Sequence, residues 1–518
     1  MKKLFSILFL ILTFSLLGYF FLPKKVNPIK NGQIVLRPAK ITNYQTVHTK
    51  LVSDKTYPIY QNVSSKGGVN ATSSTKYFRT SLLQSQRSAK TKNGTYWQLV
   101  INGREAGWVN EKCFLRNKIS VAKHISLVRN NYYAFPVRDA IAYAVDKHGT
   151  MINPNQVQVS QKNISSANPG IYRITYKYKK LTAQANINVR SNVNEGITVA
   201  NQIPTPGPTE VKTFSGSSKS SSPNWNVENN YQPETKIDNY NGSNGATMRT
   251  VFYQPRFHLI DYDQYDDQLN QVGVIPQGIN LFQNQLTVSY FSQPNATWGH
   301  LVTYNLNDLT SPLQTQNLLK MSWRSFEHTS QNINVFPYQK LGHGQSLGAT
   351  KKYVYVLASN NLESNPTKSE EILQISRKNY QIKNLWTIKT WNRSEYYPRY
   401  FHNAYFVNGH LMYAVFHNAT KGSYEYWRIT RQGDTWTAAE VEATQSNFVK
   451  DNSPLQGFTY TNGNFYLAFN DNIFQINRLG KVLKHYQFHT LRETEGIAIK
   501  NGAPYIELAR RPELLEVK

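Results

Sequence analysis

Gln456-Gly-Phe-Thr-Tyr-Thr-Asn-Gly-Asn-Phe-Tyr-Leu-Ala-Phe469 and Glu495-Gly-Ile-Ala-Ile-Lys-Asn-Gly-Ala-Pro-Tyr-Ile-Glu-Leu508 share one pattern. A polar residue and a glycine open a short strand, an Asn-Gly pair turns the chain, and an apolar-aromatic strand returns. Asn-Gly between two such runs is the strongest short hairpin signal, because both turn positions need positive φ. Three further segments align with these without gaps: Gln277 to Tyr290, Gly344 to Leu357 and His402 to Val415. Asn408-Gly409, Asn462-Gly463 and Asn501-Gly502 fall at the same offset in their segments.

The five starts, at 277, 344, 402, 456 and 495, are 67, 58, 54 and 39 residues apart, with further strand-like runs between them. A recurring unit of about 40–65 residues holding four short strands has the size of a propeller blade. Residues 247–518 therefore predict a five-bladed β-propeller. The first strand of each blade lines the centre of such a fold, so Gln277, His343 with Gly344, His402, Gln456 and Glu495 are expected to ring one mouth of a channel. Amides, imidazoles and one carboxylate suit sugar hydroxyls or a cationic group; the bland alternative is that they satisfy one another and water.

The whole chain has 518 residues, with Lys+Arg 58 against Asp+Glu 31 and a net charge of +27. Aromatic residues make up 13%, which argues against a disordered chain. Its single cysteine, Cys113, excludes an internal disulfide framework, a Cys-based zinc site and a CxxC redox pair. Residues 1–118 hold nineteen Lys and Arg against three acids, Asp54, Glu105 and Glu111.

Met1-Lys-Lys3 precedes an apolar run from Leu4 to Leu22 that ends at Pro23-Lys-Lys25. Nineteen residues at about 1.5 Å each span the hydrocarbon thickness of a bilayer. The run reads as a retained signal-anchor at 1–25, giving a single-pass cell-membrane protein with its later domains outside the cell; the alternative is a cleaved signal on a secreted or wall-associated chain. Near-absence of cysteine in an exported protein fits a Gram-positive envelope. At that address an anionic wall polymer or glycan is the expected partner of the basic end, and nucleic acid is not.

Thr95-Tyr-Trp-Gln-Leu-Val-Ile-Asn-Gly-Arg-Glu-Ala-Gly-Trp-Val109 places two aromatic strands around an Asn102-Gly103 turn. With Tyr57-Pro-Ile-Tyr60 upstream, residues 40–118 resemble bacterial SH3-like modules of the GW type. The resemblance implies a small barrel that attaches proteins to teichoic-acid-like polymers or peptidoglycan, with Tyr57, Tyr60, Trp97, Arg104 and Trp108 as wall-polymer-binding residues. A purely structural role for Trp97 and Trp108 in the barrel core competes with this.

Pro169-Gly-Ile-Tyr-Arg-Ile-Thr-Tyr176 is a turn followed by a half-buried strand. On this pattern residues 119–192 resemble a bacterial Ig-like domain, which implies a β-sandwich spacer. Residues 193–246 combine Pro204-Thr-Pro-Gly-Pro208 with Ser215-Gly-Ser-Ser-Lys-Ser-Ser-Ser222 and read as a linker that tethers the C-terminal half. The propeller itself resembles helveticin J-like five-bladed domains of lactobacilli, through the polar-Gly strand openings and Glu495-Gly-Ile-Ala-Ile499. That resemblance implies a bacteriocin or one of its surface-protein relatives.

No residue is assigned a catalytic role, and no metal or cofactor is expected. Gly344-Gln-Ser346-Leu-Gly348 fits G-x-S-x-G, but a strand follows where a nucleophile elbow needs a helix. Asp261-Tyr-Asp-Gln-Tyr-Asp-Asp267 lacks the glycine and closing glutamate of a calcium loop. His343, His402, His410 and His417 carry no HExxH spacing. A pair of Glu495 with an acid such as Glu395 would serve a glycoside hydrolase only at about 5–9.5 Å. The mainly β chain thus reads as an envelope-binding protein; a bacteriolysin and a propeller hydrolase are the alternatives.

Overall fold

The computed structural model describes residues 37–79, 83–101, 104–131, 134–191, 195–200, 214–215, 237–254, 260–263, 268–271, 276–291, 297–309, 323–358, 369–392, 398–401, 403–446, 449–450, 454–509 and 512–518. The apolar run 4–22 lies outside them, as do His402 and Glu395. Among the described residues no helix is long and apolar enough to cross a membrane.

The N-terminal module is one antiparallel sheet of six strands, in the order Lys40–Lys50, Leu83–Thr91, Gly94–Ile101, Arg104–Asn110, Pro58–Val63 and Gly68–Ser74. An isolated bridge between Pro38 and Ser64 links the residues before the first strand of this path to the turn between its last two. Ile59, Phe78, Leu83, Leu99, Val109 and Cys113 fill its core. Gly107 is obligatory here: at φ +120°, a Cβ would stand 2.6 Å from the Tyr60 carbonyl oxygen.

In the second module Gly170–Tyr178 and Leu181–Arg190 form a long hairpin, flanked by His124–Val128 in parallel and Gln158–Val159. Lys118–Val121 pairs with Ile141–Val145. Alternation along the hairpin buries Ile174, Tyr176, Ala185, Ile187 and Val189. The buried Tyr176 hydroxyl donates to the Val137 carbonyl at 2.8 Å, pinning the facing layer.

Among the described residues of the C-terminal half, five sheets of four or more strands stand out, each antiparallel within 247–518. Sheet I begins with Pro276–Phe282, sheet II with Ser346–Ala349, sheet III with Asn403–Asn408, sheet IV with Gly457–Thr461 and sheet V with Thr494–Lys500. Each first strand neighbours the next, and that of sheet V neighbours that of sheet I. Sheet V also takes in Thr247–Tyr253, which pairs with Glu513–Val517, so both ends of this half share one sheet. The arrangement is propeller-like.

The repeated glycines explain how the first strands converge. A Cβ on Gly278 would lie 2.4 Å from the Gln345 carbonyl oxygen, one on Gly348 2.3 Å from Phe406 Cβ, and one on Gly457 2.8 Å from Ile497 N. Successive first strands thus approach backbone to backbone, closer than any side chain permits.

A second repeat was not visible in sequence. Lys340 pairs with Glu371 at 2.8 Å in sheet II, Arg399 with Glu425 at 2.6 Å in sheet III, and Arg492 with Glu513 in sheet V. In each case a cation just ahead of the sheet's first strand meets a buried acid at the start of its third strand. All six side chains are buried. Each pair ties a connecting segment to the sheet it precedes.

Residues 193–246 do not form a free tether throughout. Glu195–Ala200 pairs in parallel with the outer strand Ile382–Asn392 of sheet II, and Phe214–Ser215 with Val449–Lys450. Asn239–Asn241 joins sheet V. Ile197-Thr-Val199 is strand-forming and meets the otherwise unpaired edge of a sheet, a contact that the Ser- and Pro-rich composition downstream hides.

The Ig-like module, expected as a spacer, is itself docked on its neighbours. Trp298 of sheet I sits in its core with Phe135 and stacks on Tyr338, ring centroids 5.2 Å apart. Tyr338 donates to the Asp139 carbonyl at 3.0 Å. Lys50 of the first module donates to the His148 carbonyl of the second at 2.9 Å.

Candidate functional site

In the first module, strand alternation divides the expected aromatic set between two faces. Trp97 stands opposite Val109, and Trp108 opposite Gln98. Trp97 and Tyr57 therefore pack against the core with Val109, Leu99 and Ile59. Trp108 gathers with Tyr96 and Tyr60 on the other face. Tyr60 meets Tyr96 edge-on at 6.0 Å, and the Arg87 guanidinium lies 5.8 Å over the Trp108 ring. The structure thus brings Tyr60 and Trp108 together and keeps Tyr57 and Trp97 apart from them. Trp108 is only 5% exposed, so its indole chiefly supports this face. Trp97 instead stacks on Tyr44 at 5.4 Å, with His48 against its edge. The side chain of Arg104 lies outside the described set.

Cations that the sequence reading did not single out collect at one corner. Lys40 and Lys90 are direct cross-strand partners, so both side chains leave the same face, and both are exposed. The Ser65 N–H donates to the Arg37 carbonyl at 2.8 Å, and the Lys92 N–H donates to the Ser65 carbonyl at 2.9 Å. These bonds bring Arg37, Lys66 and Lys92, all exposed, to the same end of the sheet. Like charges opposed across a ladder are destabilising unless something between them is negative. The pairing of residues 40 and 90 depends on register, which a composition count cannot supply.

At the hub of the C-terminal half, Gln277, Gly344 and Glu495 are buried, and Gln456 is half-buried. The Gln345 amide donates to Gln456 Oε1 at 3.1 Å, joining sheet II to sheet IV. Sheet III stands between those two in the ring, so this bond crosses the hub. Ser289 accepts from the Gly278 N–H and donates to the Gly344 carbonyl, linking sheets I and II. Asn403 donates to the Leu455 carbonyl at 3.0 Å, linking sheets III and IV. The buried oxygens Gln277 Oε1, Asn280 Oδ1 and Asn403 Oδ1 have no hydrogen-bond partner among the described residues.

Ser346 is fully buried, and its hydroxyl accepts from the Ala404 N–H at 2.7 Å, a structural tie between sheets II and III. Glu370 is buried, accepts from the Phe401 N–H at 2.7 Å, and its carboxyl is pushed up to about 8 by that burial. The neighbouring Tyr400 hydroxyl is pushed up to about 12 by burial and by Glu370. Burial also drives His485 down to about 4; its Nε2 contacts Asn472 Oδ1 at 2.9 Å. Among the described residues no three His, Cys, Asp or Glu side chains gather as metal ligands would.

Residues 38–115 match the GW (Gly-Tryp) dipeptide domain, and residues 134–191 match the bacterial Ig-like domain of group 3. No curated protein matches the chain. Among solved structures, a gluconolactonase from Xanthomonas campestris is similar at 10% identity, TM-score 0.28, over 55% of this chain and 96% of its own. A β-propeller domain from Myceliophteria thermophila is similar at 9% identity, TM-score 0.25, over 45% and 62%. A virginiamycin B lyase from Staphylococcus aureus is similar at 10% identity, TM-score 0.25, over 47% and 95%. Likenesses this distant carry no argument about activity.

Proposed function

We propose that this is a cell-surface binding protein that attaches to an anionic envelope polymer through its first module and presents a five-bladed propeller to a glycan or surface partner. The carrying observation is Lys40 facing Lys90 across the ladder, with Arg37, Lys66 and Lys92 at the same end of the sheet. An anionic chain laid between these cations relieves their repulsion, and the gain is screened over about 8 Å at physiological salt. The GW match supports teichoic acid or peptidoglycan as the class of polymer. Tyr60 and Trp108, with Arg87, are the aromatic part of this reading. The five cyclically neighbouring first strands support five blades, the architecture of helveticin J-like domains. Gln277 Oε1 and Asn403 Oδ1 are the groups offered to a hydroxyl-bearing ligand at the hub, beside Glu495, His343 and Gln456.

The test is retention of the full chain on Gram-positive cell-wall fractions at low salt, before and after teichoic acid is removed. Wild type is retained and released by salt, and Lys40→Glu/Lys90→Glu is retained less and released at lower salt. Equal retention of both proteins sinks the reading.

A further inference from the structure

The three modules enclose a cavity of about 1000 Å³ that none of them could form alone. Leu51, Val52 and Arg79 come from the first module, the segment Ser120–His124 with Tyr143 from the second, and Phe336, Tyr338, Gln339 and Tyr380 from sheets I and II. A second cavity of about 770 Å³ adjoins it, lined by Lys118, Arg173 and Gln184. Ser120, Val121, Lys123 and His124 line both, so the two read as one cleft along a single edge of the Ig-like module.

The lining is chemically one-sided. Arg79, Lys118, Lys123 and Arg173, with His124, face the two cavities, and the described lining contains no Asp or Glu. Glu371 lines a small recess that shares Ala122, His124 and Gln339 with the larger cavity, and it is held by the Lys340 ammonium at 2.8 Å. One guanidinium nitrogen of Arg79 binds the Asp54 carbonyl and Thr56, which fixes where that charge sits. Lys118 lies 5.9 Å from the Tyr143 ring centroid, setting a cation beside an aromatic surface. In the wall, the buried Gln339 Nε2 is a donor with no acceptor among the described residues. A buried donor without a partner is costly, and an oxygen-rich ligand would relieve it.

We infer that this inter-module cleft binds a negatively charged glycan chain. Its cations select carboxylates or phosphate and sulfate esters, its tyrosines put aromatic surface in the lining, and its volume admits several sugar residues. A bare inorganic anion would leave most of the volume and the rings unused, and an uncharged sugar would leave the cations unused. The occupant touches all three modules at once, so binding would also lock their relative positions. This site is separate from the Lys40–Lys90 corner and does not depend on it.

The experiment uses the full chain carrying Lys40→Glu/Lys90→Glu, so that the corner is disabled. Dextran sulfate is the ligand and uncharged dextran of equal length the control. Lysine acetylation read by mass spectrometry should show Lys118 and Lys123 protected at least fivefold by dextran sulfate, with exposed Lys481 and Lys484 unprotected. Lys123→Gln/Arg173→Gln should weaken binding roughly tenfold, while the equally charged-down Lys481→Gln/Lys484→Gln leaves it unchanged. Equal effects of the two double variants, protection spread over all lysines, or equal binding of uncharged dextran would overturn the inference.

Discussion

Asn131 and Ser369 exchange two hydrogen bonds across the boundary between the Ig-like module and sheet II. The Asn131 amide donates to the Ser369 carbonyl at 2.9 Å, and the Ser369 N–H donates to Asn131 Oδ1 at 3.0 Å. The side chain thereby mimics one rung of a β-ladder. Both residues are buried, so neither partner can turn to water if the other is lost.

Asn131→Ala leaves one buried donor and one buried acceptor unpaired, at a cost of about 1–3 kcal/mol each. Calorimetry should show unfolding of the Ig-like module moving to lower temperature as it uncouples from sheet II. Hydrogen exchange should rise first at Ser369–Glu371. An unchanged melting curve would mean that the two modules are not docked through this contact.

Trp298→Ala removes a buried indole that fills the core of a different module. A loss of about 3–5 kcal/mol is expected. The informative readout is where the loss falls: exchange protection should drop at Ile125, Leu127 and Ile187 of the Ig-like module as well as in sheet I.

Arg399→Met strands Glu425, which also accepts from Asn418 at 2.8 Å, in a buried setting. Removing one member of such a pair costs about 3–5 kcal/mol. Arg399→Met with Glu425→Gln should recover part of that loss in urea denaturation. No recovery would show that the cation acts through packing, including its contact over the Phe416 ring.

Glu370 sets a pH dependence. Its value in the fold, about 8, exceeds the ordinary carboxyl value of 4.5, so the folded state holds a proton that the unfolded state releases. Its contribution is fully present below 4.5 and is lost as pH rises towards 8. Glu370→Gln should flatten that decline and raise the melting temperature at pH 8.5 relative to wild type. A parallel decline in both proteins would place the titration elsewhere.

Lys40→Glu converts an opposed like-charge pair into an opposite-charge pair. The first module should gain about 0.2–1 kcal/mol while retention on anionic wall fractions falls. Stability and binding moving in opposite directions is the signature of a site rather than of a damaged fold.

Much of this architecture could be read from letters alone because it rests on local rules. Asn-Gly pairs dictate tight hairpins, alternation dictates strands, and the glycines after Gln277, Gln456 and Glu495 mark where backbones must nearly touch. Register and docking are different in kind. Whether Trp97 and Trp108 share a face depends on the parity of their strands, and they do not. Lys40 meets Lys90 through a pairing of segments far apart in sequence, and the cleft beside Lys123 exists only because three modules close around it. Such sites arise from long-range contacts, which the order of residues implies but which only the folded chain brings within a few ångströms.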